Sequence, residues 1–142
     1  MNYTPTPTSS ALSIVHAALK ADETLRSRGV SVVVRDRGDF QSELAAALAK
    51  TSAPVVILAA DSARNANPLL EVGYQVIVEE LAGVNRAEEG YMTAWDVAWR
   101  CVSILEGEVH RFDSIDCTFV DASGNLQVVA KLACRFVTNS ED

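Results

Sequence analysis

The side chains of this sequence best suited to chemistry are His16 and His110, the cysteines Cys101, Cys117 and Cys134, and the acidic pair Asp36 and Asp39. A cysteine nucleophile needs a base within hydrogen-bond reach, and Cys101 with His110 is a pairing that a fold could create. Asp36 and Asp39 flank a turn and could divide acid and base roles between them. Each also has a plainer role. His16 falls inside a helical pattern and His110 in a connection, neither with a His, Cys or carboxylate at metal-ligand spacing. The cysteines are odd in number, far apart and set in apolar patterns, so buried free thiols are expected rather than a disulfide or zinc framework. Acidic residues beside a loop usually cap helices or stay solvated, and Asp39 stands where a helix cap is needed. The tripeptide Arg37-Gly38-Asp39 is too common by chance to carry weight. No P-loop or dinucleotide-binding glycine fingerprint is present, and the seven glycines sit singly. No catalytic, metal or cofactor site is therefore expected, and the chain reads as a non-enzyme.

The elements around these residues follow from their periodicity. Residues 1 to 8 alternate Thr and Pro without an apolar face and read as a flexible arm. From a cap at Ser9 or Ser10, Leu12, Val15, Ala18, Leu19 and Leu25 recur at helical spacing up to Gly29. Val30 to Val34 is a short β-branched strand, and Asp39 caps a second helix carrying Phe40, Leu44, Ala47 and Leu48. Val55 to Leu58 is the next strand. Strand, helix and strand in close succession suit a parallel pair joined by a right-handed crossover, and the continuous apolar runs suit a central place in the sheet. After a polar loop from Asp61 to Pro68, Leu70, Val72, Tyr74, Val76 and Val78 alternate as one face of a long strand.

Gly83 to Gly90 is a second polar loop. Met92, Trp95, Ala98, Trp99, Val102 and Leu105 then form a helical stripe in which the two tryptophans are expected to pack inward, with Thr93 and Asp96 at capping-box spacing. A terminal hairpin follows, with Ile115, Cys117 and Phe119 facing inward, a turn at Asp121 to Asn125, and six alternating apolar positions from Leu126 to Phe136. The order α-β-α-β-β-α-β-β predicts one α+β domain over residues 9–137, with a mixed, mostly antiparallel sheet and helices packed on it, and a frayed tail at 138–142.

At 142 residues, with 49% hydrophobic and 22% charged side chains, the chain is long enough for one packed core. No run approaches the roughly 20 apolar residues that a membrane-crossing helix needs. The start lacks a secretory layout, so a cytoplasmic location is the expectation. A formal net charge of −7 disfavours a partner held through nucleic-acid phosphates and favours protein partners. Contact residues are best placed in the two polar loops: Arg64, Asn65 and Asn67 in the first, Arg86, Glu88 and Glu89 in the second. The same loops could instead wall a pocket for a small molecule.

Element order, length and pattern over most of Ser9 to Val137 resemble the tail-terminator and tail-completion proteins of long-tailed bacteriophages and prophages. Thr93-Ala94-Trp95-Asp96-Val97-Ala98 opens the last helix, and Asp121-Ala122-Ser123-Gly124 turns the hairpin. The resemblance implies a subunit that assembles with copies of itself into a ring, commonly a hexamer. Such a ring stops growth of the tail tube and joins tail to head, so its partners are the tail tube protein and a head-side connector. It implies no cofactor, and a location in the cytoplasm during assembly and then in the virion tail.

Overall fold

The computed structural model describes residues 6–35, 39–49, 53–66, 69–81, 91–107, 110–119 and 125–137. The first helix starts earlier than its sequence suggests. Thr6 is its N-cap, accepting from the Ser9 amide at 3.1 Å, and Pro7 takes the first helical position, where a missing N–H costs nothing. Residues 7 and 8, expected in the arm, therefore belong to α1 (Pro7–Ala21), which Thr6 caps and which buries Ala11, Leu12, Val15 and Leu19. The expected single helix to Gly29 also divides. Asp22 ends α1 in an extended conformation and caps a second short helix, α2 (Glu23–Ser27), through a 3.0 Å bond from the Leu25 amide. Gly29, at φ 77°, turns the chain out of α2, a conformation that costs glycine nothing.

β1 (Ser31–Val34) runs parallel to β2 (Val55–Ala66), with α3 (Phe40–Ala49) as the crossover between them. β2 pairs antiparallel with β3 (Leu69–Glu80), and β3 pairs antiparallel with β5 (Leu126–Val137). The remaining helix, α4 (Ala94–Leu105), leads into β4 (His110–Phe119), which returns antiparallel on β5. The sheet order is β1-β2-β3-β5-β4. The α+β class and the mixed, mostly antiparallel sheet are as the sequence implies. β1, however, is an edge strand rather than a central one, and it accompanies β2 only from Val55 to Leu58. The expected loop at residues 61–68 is largely strand, because β2 stays in register with β3 as far as Ala66 opposite Leu69. Its polar residues had hidden a strand that burial does not require.

Two apolar layers flank the sheet. Val56, Leu58, Val72, Tyr74, Val76, Val78, Val128, Ala130, Leu132 and Cys134 form the larger one with α1 and α4. On the other face Val33, Val55, Ile57, Ala59, Ile77 and Val129 meet Phe40, Leu44, Ala47 and Leu48 of α3. The α4 stripe differs from its expected orientation. Ala94, Val97, Ala98, Cys101, Val102 and Leu105 are buried, while Trp95 and Trp99 remain 37% and 50% exposed. A face of mostly small and medium side chains lets the helix approach the sheet closely, and the two indoles are left on its flank. The capping box is present: Thr93 Oγ1 accepts from the Asp96 amide and Asp96 accepts from the Thr93 amide. α4 lies mainly over β3 and β5 and reaches only the margin of β4. That placement leaves Cys117 of β4 exposed, whereas Cys101 and Cys134 are buried.

Candidate functional site

Three groups of polar side chains stand out among the described residues, and they differ in what they can do. The first gathers His110 and Cys134 around Tyr74, which Cys101 also influences electrostatically. His110 pairs in register with Cys134, and its Nδ1 lies 2.9 Å from the Tyr74 hydroxyl, with the two rings edge-on at 5.9 Å. Burial lowers His110 from its ordinary imidazole value and raises Tyr74 and Cys134 above theirs. Burial pushes the Cys101 thiol up to about 12. A nucleophilic cysteine must be a thiolate near neutral pH, so this cluster supplies packing and one buried hydrogen bond rather than an activated sulfur. His16 is also structural, its Nε2 lying 3.3 Å from the Val32 carbonyl oxygen.

The second group ties α4 to the end of β3. Glu80 is 1% exposed and accepts from the Tyr91 hydroxyl at 2.5 Å and from the Ala94 amide at 3.4 Å. A carboxylate at the first turn of a helix meets free amides and the positive end of the dipole, which offsets the cost of its burial.

The third group lies on the face of the sheet that carries α3, beyond the part α3 covers. Glu71 of β3 is 7% exposed. Arg64 on β2 and Arg135 on β5 are its direct cross-strand neighbours in register, and both bond to it, at 2.8 Å and 3.3 Å. Arg111 of β4 reaches across β5 with two bonds, at 2.6 Å and 3.3 Å, and also donates to Asp113 at 2.9 Å. Burial pushes the Glu71 carboxyl up, but the bonds from Arg111, Arg64 and Arg135 outweigh it and hold the group below the usual carboxylate value. The cluster thus laces four strands together at one end of the sheet.

Beside it is a cavity of about 440 Å³, lined among others by Ser62, Arg64, Gly73, Arg111, Lys131 and Ala133. The Ser62 hydroxyl packs over Gly73, where a Cβ would stand 2.6 Å from Ser62 Oγ. Two register shifts border it. Asp61 is the extra residue between Ala60 and Ser62, and Asp113 the extra residue between Phe112 and Ser114. Both shifts adjoin the Tyr74–Leu132 pair, the one in β2 toward Gly73–Ala133 and the one in β4 toward Gln75–Lys131, one on each side of the β3–β5 ladder. Bulges bend a strand and re-aim its side chains, and they are common next to functional sites.

Of the expected contact residues, Arg64 belongs to this cluster, and Asn65, opposite Leu70, takes the alternate face of β2. Asn67, Arg86, Glu88 and Glu89 lie outside the described residues, as do Asp36, Arg37 and Gly38. Asp39 accepts the Glu43 amide through its backbone oxygen at the start of α3. Sequence reasoning missed Glu71, Arg111 and Arg135. The alternation of β3 already put Glu71 on the face opposite Val72 and Tyr74, but nothing local shows that arginines flank it in the sheet.

No family model matches the chain, and no curated protein matches it. Solved structures of proteins from Akkermansia muciniphila are distantly similar to it. One crystal structure matches with a TM-score of 0.43 and 13% identity, over 99% of this chain and 83% of that chain. A protein solved without its transmembrane region gives 0.42 and 10%, over 100% and 90%. A core domain gives 0.40 and 10%, over 96% and 91%. Likeness at this level says nothing of what the present chain binds or does.

Proposed function

We propose that this chain is a non-enzymatic assembly subunit of the tail-terminator type, which joins copies of itself into a ring that ends a tail tube and meets a head-side connector. The observation that carries this reading is the exposure of Trp95 and Trp99 on α4, beside the open edge of the sheet at β4. Tryptophan is enriched among residues that dominate protein interfaces, and large exposed apolar side chains in proximity mark a contact surface. Trp99 is held in place, its ring tilted at 60° and 5.7 Å from Phe112 of β4. The opposite margin is unlike this one: β1 is four residues long, and from Asp61 to Arg64 β2 has no described strand on its outer side. Two unlike surfaces at opposite margins suit a head-to-tail contact, the kind that closes into rings. Burial raises the thiols of Cys101 and Cys134 above their ordinary values, which favours packing over nucleophilic work at these two positions. The rival pocket walled by loops 61–68 and 83–90 has no loop at its first wall, since Asp61–Ala66 is strand, and its second wall lies outside the described residues.

Light-scattering chromatography over a hundredfold concentration range tests the proposal. A closed oligomer of constant mass is expected, together with a loss of mass in the Trp95→Ser, Trp99→Ser double variant at an unchanged Tm. A strict monomer that also fails to bind purified tail tubes would sink it.

A further inference from the structure

We infer that the free edge of β1 is a cleft that receives a strand, and that its occupant is β4 of a second copy of this chain, so that the sheet runs on from subunit to subunit. The inference rests on the assembly reading above and names the contact that makes the assembly. In the parallel pairing of β1 with β2, the Arg35 amide donates to the Leu58 carbonyl at 2.8 Å. Backbone groups alternate sides along a strand, so Ser31, Val33 and Arg35 turn theirs to β2, while Val32 and Val34 turn theirs outward. The Val32 carbonyl oxygen lies 3.3 Å from His16 Nε2. A carbonyl only accepts, so a side-chain donor of α1 stands where a further strand would supply an amide. Two cavities, of about 340 and 370 Å³, lie along this edge, and Lys20, Ser31 and Val32 line both. His16 and Lys20 of α1 wall the second cavity from one face of the sheet, and Glu43, Ala46 and Ala47 of α3 from the other. A slot between two helices with strand backbone at its base suits one extended segment.

β4 has the direction and the open edge that this slot needs. It has one neighbour in the sheet order, so alternate residues turn their N–H and C=O groups outward as in β1. Followed through β5, β3 and β2, it runs antiparallel to β1. A rotation about an axis along the strands preserves that sense. β4 of the next copy therefore meets β1 as an antiparallel pair, with the helices of both copies on the same faces, and Trp95 and Trp99 turn toward the outer side of the neighbouring α1. Charge agrees with this pairing. At the β1 margin Lys20, Arg26, Arg28 and Arg35 are exposed and form no ion pair among the described residues, and they outnumber Glu23, Asp39 and Glu43. β4 carries exposed Asp113 and Asp116, and its Arg111 is already taken by Glu71 and Asp113. Two β4 edges paired with each other would set like carboxylates face to face, which disfavours a symmetric contact.

Light scattering on edge-blocked variants of the full chain tests the contact. Val32→Pro removes an outward amide that the β1–β2 ladder does not use, and Ser31→Glu places a carboxylate in the cleft. Each is expected to stay at monomer mass where the parent is a closed oligomer, with thermal unfolding still cooperative. Cys117→Lys blocks the opposite edge. An equal mixture of Ser31→Glu and Cys117→Lys should form a dimer that grows no further, because one open β1 edge and one open β4 edge remain. His16 ring NMR signals should shift on assembly of the parent and stay in place in Ser31→Glu. A parental oligomer that both β1 variants leave intact, or a mixture that grows past the dimer, overturns this contact and leaves the assembly reading standing. A parent that is monomeric throughout overturns the contact as well, and tail-tube binding then decides the assembly reading separately.

Discussion

At Glu71 one carboxylate is shared by three guanidinium groups, so its removal leaves like charges facing one another with no acceptor between them. Glu71→Gln is expected to lower stability by about 1–3 kcal/mol at pH 7, the lower end applying because the arginines are partly solvated. The pH dependence has a definite sign. The carboxyl is held below its ordinary 4.5, so its contribution is complete above that value and is lost as pH falls through the folded pKa. Urea titrations of parent and variant should therefore differ at pH 7 and converge below pH 4.5. The cysteines give a second residue-scale prediction. Cys117 is exposed while Cys101 and Cys134 are buried with raised pKa values, so a thiol reagent at pH 8 should label one site in the folded protein and three in urea. Rapid labelling of Cys101 in the folded chain would contradict its placement on the buried face of α4.

Between elements, the junction of α1 and α2 shows how one side chain can serve two purposes. Asp22 caps α2 and also accepts two bonds from Arg100 of α4, at 2.6 Å and 3.2 Å. Those bonds from Arg100 hold its carboxyl below the usual range against an opposing effect of burial. Arg100→Ala removes only the tie between helices and should lower the denaturant midpoint less than Asp22→Ala does, since the guanidinium is partly solvated. Asp22→Ala removes the cap as well and should cost about 1–2 kcal/mol more than a cap-retaining Asp22→Asn. Denaturant midpoints at pH 7 for the three variants check the order. If Asp22→Asn were as harmful as Asp22→Ala, the cap would not be formed through the side chain. The start of α1 carries a related consequence: deleting residues 1–8 removes Thr6 and Pro7 and should lower the Tm.

Across the molecule, the sheet has two margins of different character, and the assembly reading depends on that difference. β4 is ten residues long and has one neighbour, β5, within the sheet order. Edge strands of this kind are commonly protected by charge, and Cys117 is an exposed position at which a charge can be added. Cys117→Lys should reduce the mass of any oligomer built through this margin while changing monomer stability by no more than about 0.5 kcal/mol. Sedimentation velocity of the variant against the parent measures this, and an unchanged oligomer would move the interface elsewhere. No helix among the described residues is long and apolar enough to cross a membrane.

Local pattern alone determined the α+β class, the existence of most elements, the Thr93–Asp96 cap and the inward face of β3 and β5. Each depends on spacing within one segment, and a buried face leaves that spacing in the chain. Three features needed the tertiary structure. The second half of β2 is polar, because a strand held by its neighbour's backbone needs no buried side chains to persist, so composition suggested a loop. The rotation of α4 was undetermined because it is apolar on most sides; only docking decided that the Ala, Val, Cys and Leu stripe faces the sheet and that Trp95 and Trp99 do not. The open-face cluster joins residues 64 and 71 of one hairpin to residues 111 and 135, far away in sequence, and they meet only through strand order and register. Register is a property of pairs of strands, and no single segment encodes its partner's alignment.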